Sequence, residues 1–345
     1  MAERRPTPTA AQAAGARPAG WIAAAIDCGT NSTRLLVSDE HGTQLARELR
    51  VTRLGEGVDA RHELGRDAIA RTVAALRTYR EVMDDLGVDA VRAVATSAVR
   101  DASNGQELLD AAADAVGAAV ELLSGEEEGR LAYAGAVAEL DAGGGPYVVL
   151  DIGGGSTELT ALVAGDPDPR VVSLDVGCVR LTERSLHHDP PLPEELERTA
   201  AIVRHELDRA AAALPVLGEV PQSATLVGLA GTVTTLSMLA HGWTAYDPAL
   251  VHHSELTLAT VETWADRLAA ETVAARGAHA GMVEGRQDVI VGGVIVLREA
   301  MRRFSFGRCI VSESDILDGL VASLATSRPR SPMVSDARSD PSAAS

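Results

Sequence analysis

Three glycines at the end of an apolar run are the residues in this sequence best suited to chemistry. Tyr147-Val148-Val149-Leu150 reads as a buried strand that delivers Asp151. Gly153, Gly154 and Gly155 then turn the backbone sharply before Ser156, Thr157 and Glu158. Without Cβ atoms, successive N–H groups of such a turn can converge on one phosphate. The hydroxyls of Ser156 and Thr157 add donors, and Asp151 can hold a divalent cation through water. Alone, a GGGS stretch reads more simply as a hairpin turn. It has a counterpart: the apolar run Trp21 to Ile26 ends in Asp27, and Cys28-Gly29-Thr30-Asn31-Ser32-Thr33-Arg34 leads into the strand-like Leu35-Leu36-Val37. Two such units about 120 residues apart predict two similar halves facing one phosphate chain.

Hydrolysis also needs an oriented water, for which a carboxylate is the natural general base. Glu126-Glu127-Glu128 lies where a strand gives way to a helix. Acids in a first helical turn are also what the helix dipole favours, and on residue type alone that reading outweighs catalysis. Arg34, Arg100, Arg180 and Arg286 each stand beside a small-residue loop. Singly, a surface ion pair is the simpler role for each; as a set they favour a polyanion. His187-His188 and His252-His253 lack a third metal ligand and read as surface or packing residues, and no GxxxxGK[ST] motif is present.

The elements that must position these residues alternate between strand and helix, which places the chain in the α/β class. Strands are expected at Trp21–Glu40 (two, antiparallel), Gln44–Thr52, Val91–Ala95, Glu121–Leu123, Leu159–Val163, Val171–Leu174 and Thr225–Leu229. Helices are expected at Gly65–Leu86, stopped by Gly87, and at Gly105–Val116, Leu131–Leu140, Pro193–Ala213, Leu256–Ala275, Gln287–Phe304 and Asp315–Ala325. Ser124 followed by Glu127 suggests a capping box. Ala230 to Leu236 is expected to be a third ligand-approaching loop.

At 345 residues, two domains are expected, 21–125 and 126–326, with the last helix, 315–325, free to pack on the first. An Ala/Pro/Arg-rich leader over 1–20 and a Ser/Pro/Arg/Asp-rich tail over 327–345 read as disordered. A net charge of −18 argues against nucleic-acid or anionic-membrane partners, and no stretch reaches the length of a membrane span. All 31 basic residues are arginines, whose forks suit phosphate oxygens. Three cysteines without metal spacing point to a reducing cytoplasm.

Seven segments in order resemble the exopolyphosphatase and guanosine pentaphosphate phosphatase (Ppx/GppA) family: Asp27 to Leu35, Ala95 to Asp101, Ser124 to Glu128, Asp151 to Glu158, Gly177 to Arg180, Gly228 to Thr235 and Gly285 to Asp288. The short length and the Val311 to Gly319 ending resemble the short actinobacterial exopolyphosphatases. The resemblance implies two ribonuclease-H-like domains of the actin, sugar-kinase and Hsp70 superfamily, with the active site between them. It makes Glu128 the catalytic base, assisted by Asp151 and Glu158. Asp27, Asp151 and Glu158 would place Mg2+ or Mn2+. Gly29, Thr30, Asn31, Ser32, Gly153, Gly154, Gly155, Ser156, Arg34, Arg100 and Arg286 would bind phosphate. The implied substrate is inorganic polyphosphate, with guanosine penta- or tetraphosphate as the alternative, and the implied assembly is a homodimer. A non-catalytic polyphosphate or alarmone sensor is the rival from another class.

Overall fold

A strand with a long apolar run must be covered on both faces. That is the situation of β1 (Ile22–Cys28), apolar but for Asp27 and buried at every residue at the centre of the first sheet. A computed structural model describes residues 20–141, 144–162, 166, 168–214 and 224–326. The tail and, but for Gly20, the leader lie outside the described residues.

The first half runs β1, β2 (Ser32–Asp39), β3 (Gln44–Val51), α1 (Val58–Arg61), α2 (Arg66–Leu86), β4 (Ala90–Ala95), α3 (Ser97–Arg100), α4 (Gly105–Val116) and β5 (Val120–Leu122). Its sheet has the order β3-β2-β1-β4-β5, with β2 antiparallel to both its neighbours and β4 parallel to β1 and β5.

The second half begins with α5 (Gly125–Val137), β6 (Tyr147–Ile152), β7 (Thr157–Ala161), β8 (Arg170–Leu174), α6 (Cys178–Ser185), α7 (Pro193–Ala213) and β9 (Thr225–Leu229). It continues through α8 (Ala230–His241), α9 (Pro248–Val251), β10 (Glu255–Thr257), α10 (Leu258–Ala270), α11 (Val273–Gly277), α12 (Ile290–Arg303), β11 (Arg308–Val311) and α13 (Ile316–Thr326). The sheet order β10-β11-β9-β6-β7-β8 repeats the first arrangement with one added edge strand. The repeat extends to register: Asp27 faces Arg34 across β1 and β2, and Asp151 faces Glu158 across β6 and β7.

Each sheet has its own apolar core, and a third cluster joins them. In that cluster Ala25, Leu36 and Val94 of the first sheet and Val149, Val227 and Leu229 of the second pack against Tyr133 of α5 and Ile316, Leu317 and Leu320 of α13. The two helices approach so closely that a Cβ on Gly135 would lie 2.0 Å from the Asp315 carbonyl oxygen, and one on Gly319 2.1 Å from that of Leu131.

Three local expectations are corrected. Ala230 to Leu236 is the opening of α8 and not a loop, because its small side chains fit against neighbouring elements without breaking the helix. Leu256–Ala275 divides into β10, α10 and α11, since Thr257 and Thr272 each accept an amide hydrogen bond as a new helix starts. The strand β11 went unpredicted, its four residues being too few to carry a period. Among the described residues no helix is long and apolar enough to cross a membrane.

Candidate active site

Both glycine turns meet at one cavity of about 410 Å³ between the halves. In the second turn the carbonyls are already committed. Gly153 O accepts from Cys178 N at 3.0 Å, Gly154 O from Val179 N at 2.9 Å and from Arg180 N at 3.1 Å, so the first turn of α6 holds the glycines from behind. In the first turn, Thr30 O accepts from Gly55 N at 2.8 Å and Asn31 O from Thr52 N and Arg53 N at 3.1 and 2.9 Å. Apart from Gly29 N–H, which donates to Ser32 O at 3.0 Å, the turns with their carbonyls so pinned keep N–H groups for an anion. The halves touch here: a Cβ on Gly154 would stand 2.8 Å from Thr30 Cβ, so this glycine is required by close approach. Thr30 Oγ1 and Ser97 Oγ lie 2.8 Å apart.

Two further donors face the cavity without an acceptor. Asn31 Nδ2 is buried and unpartnered, and the buried Arg286 guanidinium makes no hydrogen bond or ion pair among the described residues. Burial pulls the Arg286 pKa down, the response of a cation lacking its counter-ion. Its seat depends on Gly231, where a Cβ would fall 1.7 Å from Arg286 Cζ.

The three consecutive acids of α5 separate by helical rotation. Ser124 caps the helix, its Oγ accepting from Glu127 N at 3.2 Å; the return bond of a full box is not seen among the described residues. Glu126 pairs with Arg130 at 2.6 Å and Glu127 with Arg92 at 3.2 Å, both outside the cavity. Only Glu128 lines it. Arg100 Nη1 lies 3.5 Å from Glu128 Oε2, yet that oxygen accepts no hydrogen bond. Burial, and then the neighbouring charges of Glu158, Asp27 and Asp151, raise the Glu128 pKa well above the usual carboxylate range. Burial likewise pushes Asp151 up to about 8.

Asp27, Gly29, Thr30, Asn31, Ser32, Arg34, Glu128, Asp151, Gly153, Gly154, Ser156 and Arg286 all line the cavity. Gly155, Glu158 and Arg100 stand just outside its lining. Glu158 is buried behind the wall, accepting from Ser173 Oγ at 2.7 Å, with burial pushing its pKa up to about 7. Arg34 is engaged by carboxylates: Nε and Nη2 donate to Asp27 Oδ2 at 3.1 and 2.7 Å, and Nη1 to Asp315 Oδ2. Arg180 is turned away from the cavity altogether.

Arg47, Tyr246, Glu313 and Asp315 also line the cavity and were not anticipated. Arg47 Nη2 donates to Glu313 O at 2.8 Å and Asp318 Oδ2 at 2.9 Å, and Tyr246 OH donates to Glu313 Oε2. An arginine in an amphipathic strand and acids after a short strand carry no local signal. The partners of Arg47 lie more than 250 residues away along the chain, and that of Tyr246 lies 67 away.

The site could accommodate a divalent ion. Asp27 Oδ1 is buried without a partner, and Asp151 suffers a burial penalty that a cation would relieve. Among the described residues no three ligating side chains converge to hold an ion unaided. That donor set fits a magnesium-like ion bound by one or two carboxylates together with phosphate oxygens.

The sequence matches the Ppx/GppA phosphatase family over residues 36–328. It is 45% identical over 320 residues to Exopolyphosphatase 2 of Mycobacterium tuberculosis, spanning 88% of this chain and 98% of that protein. Among solved structures, an exopolyphosphatase-like protein is similar with a TM-score of 0.84 at 33% identity, covering 88% of this chain and 99% of that one. A Ppx/GppA family member of Aquifex aeolicus is similar with a TM-score of 0.73 at 31% identity, covering 90% and 99%.

Proposed function

The chain belongs to the Ppx/GppA phosphatase family, and from that premise we propose that its cleft releases terminal phosphate from linear inorganic polyphosphate, with Glu128 directing the attacking water. The observation that carries this reading is the placement of Glu128: one carboxylate oxygen without a hydrogen-bond donor, in a cavity that also holds two amide-rich turns and an unpaired arginine. In this reading the turns, Asn31 and Arg286 grip the terminal phosphoryl group, and Arg100 steadies the base from the side. Glu128 accepts the proton as water attacks in line, and the turn N–H groups meet charge as it spreads over the phosphoryl oxygens.

Asp151 and Asp27 would hold a divalent cation, Mg2+ or Mn2+, with Glu158 adding negative charge from behind. When bound, the ion supplies charge neutralisation to the phosphate oxygens. A cytoplasmic setting is supported by three buried, unpaired cysteines.

A second substrate is favoured by one observation. Leu49, Tyr246, Pro248 and Val283 give the same cavity an apolar and aromatic part, with Tyr246 about half exposed, which suits the base of guanosine pentaphosphate. The deciding experiment measures phosphate release with Mg2+ from tripolyphosphate, long polyphosphate and guanosine pentaphosphate, with Glu128→Gln as control. Release from polyphosphate that disappears in the variant supports the leading reading. Release from the guanosine compound alone shifts the substrate to the nucleotide, and tight binding without release from any of them would make the protein a sensor.

A further inference from the structure

The arginine that the cleft does not use ties its two walls together. Arg180 is the third residue of α6, and its side chain is only 12% exposed. Its guanidinium reaches three acceptors in both halves of the molecule. Nε donates to Gly155 O at 2.6 Å, Nη1 to Asp59 Oδ1 at 2.7 Å and Nη2 to Asp101 Oδ2. Gly155 belongs to the second phosphate turn, Asp59 to α1, and Asp101 caps the C-terminus of α3.

The short helix α3 is what makes this connection consequential. It carries Ser97, which meets Thr30 of the first turn at 2.8 Å, and Arg100, which donates to Leu123 O at 2.8 Å and lies 3.5 Å from Glu128. One planar fork thus fixes the carbonyl side of one turn against the helix that supports the other turn and flanks the base. A lysine, a point charge on a flexible stem, cannot reproduce three such directions at once. Little slack remains between the parts. A Cβ on Gly155 would lie 2.7 Å from Ser97 Oγ, and one on Gly177 2.4 Å from Gly154 O.

We infer that Arg180 is a positioning residue for phosphoryl hydrolysis, holding α3 and the second turn in one register so that Arg100, Glu128 and the turn amides address the same phosphate. The inference rests on the phosphatase reading above. It is tested with full-length protein on tripolyphosphate and Mg2+, comparing unmodified protein, Arg180→Lys, Arg180→Ala, and Arg180→Ala with added methylguanidinium.

Arg180→Ala is expected to lower kcat by about 10- to 100-fold, the scale of a sub-ångström to 1 Å misplacement, with KM changed less than about threefold. Methylguanidinium should restore part of the loss, and Arg180→Lys should resemble the alanine variant more than the unmodified protein. Because Arg180 acts through α3, adding Arg180→Ala to Arg100→Ala should cost less than the two losses combined. Should Arg180→Ala fail to fold, Asp101→Asn gives the same reading, with a smaller kcat loss at unchanged KM. Unchanged kcat in these variants, a loss confined to KM, or full additivity with Arg100→Ala would overturn the inference. Absence of phosphate release from the unmodified protein would instead remove the reaction that Arg180 serves, and the inference with it.

Discussion

Glu128 differs from its two acidic neighbours by direction alone. Glu126 and Glu127 have guanidinium partners and Glu128 has a cavity, so the three substitutions should separate cleanly. Glu128→Gln is expected to reduce phosphate release by about 10²- to 10⁴-fold, the range for loss of a general base, while phosphate binding persists. Glu126→Gln and Glu127→Gln should stay within about twofold, since one loses an exposed ion pair and the other a part-buried one, both away from the cavity. Equal losses at all three positions, measured as initial rates, would contradict the assignment. Gly231 offers an independent residue-level check on Arg286. The Cβ of Gly231→Ala would occupy the guanidinium's place, and the expected result is a KM rise of about tenfold or more, as for loss of a charged hydrogen-bonding group. An unchanged KM would take Arg286 out of the phosphate site.

At the scale of elements, helix starts and helix contacts hold the site in place. Ser124 fixes the first turn of α5, four residues before the proposed base, and Ser124→Ala should lower the unfolding free energy in urea by about 1 kcal/mol. The α5–α13 crossing is tighter, so Gly135→Val should cost more than the cap does, about 1–3 kcal/mol for overpacking, and should disturb Asp315, the partner of Arg34. At the start of α7, Glu195 accepts from the His188 ring foremost and from the amides of Leu192, His187 and His188, which hold its pKa at about 2. A folded-state pKa below the unfolded value gives stability that is present above the unfolded pKa and lost as pH falls through the folded one. The melting-temperature lead of unmodified protein over Glu195→Gln should therefore hold near neutrality and shrink from about pH 4 towards pH 2. A gap independent of pH would show that the carboxylate's charge is not what caps this helix.

For the whole molecule the governing quantity is charge. The chain carries −18, and two of the three arginines lining the cavity, Arg34 and Arg47, are already held by carboxylates. A polyanion entering such a cleft needs accompanying cations. Chelation by EDTA should abolish phosphate release, and Mg2+ should restore it. The pH profile should respond as well. Burial and mutual repulsion raise both Glu128 and Asp151 above the usual carboxylate range, so the ionised base becomes more abundant, and activity rises, with increasing pH over a range higher than that of a free carboxylate. A bound cation opposes both effects, and the acid limb of kcat/KM should move to lower pH as Mg2+ is raised. A limb fixed across Mg2+ concentrations would separate the base from the ion.

The sequence alone determined the two strand-Asp-turn units, their hairpin partners and the alternation of strands with helices. Each is set by backbone geometry within a few residues: glycine where the chain must turn, alternation or apolar runs where it is extended, and periodicity in a helix such as α2. It also named the acids of α5 as a group. The short elements β11 and α3 escaped because four residues establish no period, and the eight-residue α6 because it starts on a loop-like Gly-Cys. The family resemblance singled out Glu128 among those acids; only the tertiary structure decided how Glu126 and Glu127 turn away from the cavity that Glu128 lines, that Glu158 stands behind its wall, and that Arg34 is shared with Asp315, 281 residues away. It likewise turned Arg180 out of the cleft and into a brace across it. The partner of a long charged side chain is chosen by distances of a few ångströms, and those distances arise when two sheets close around α5 and α13, beyond the reach of any local pattern.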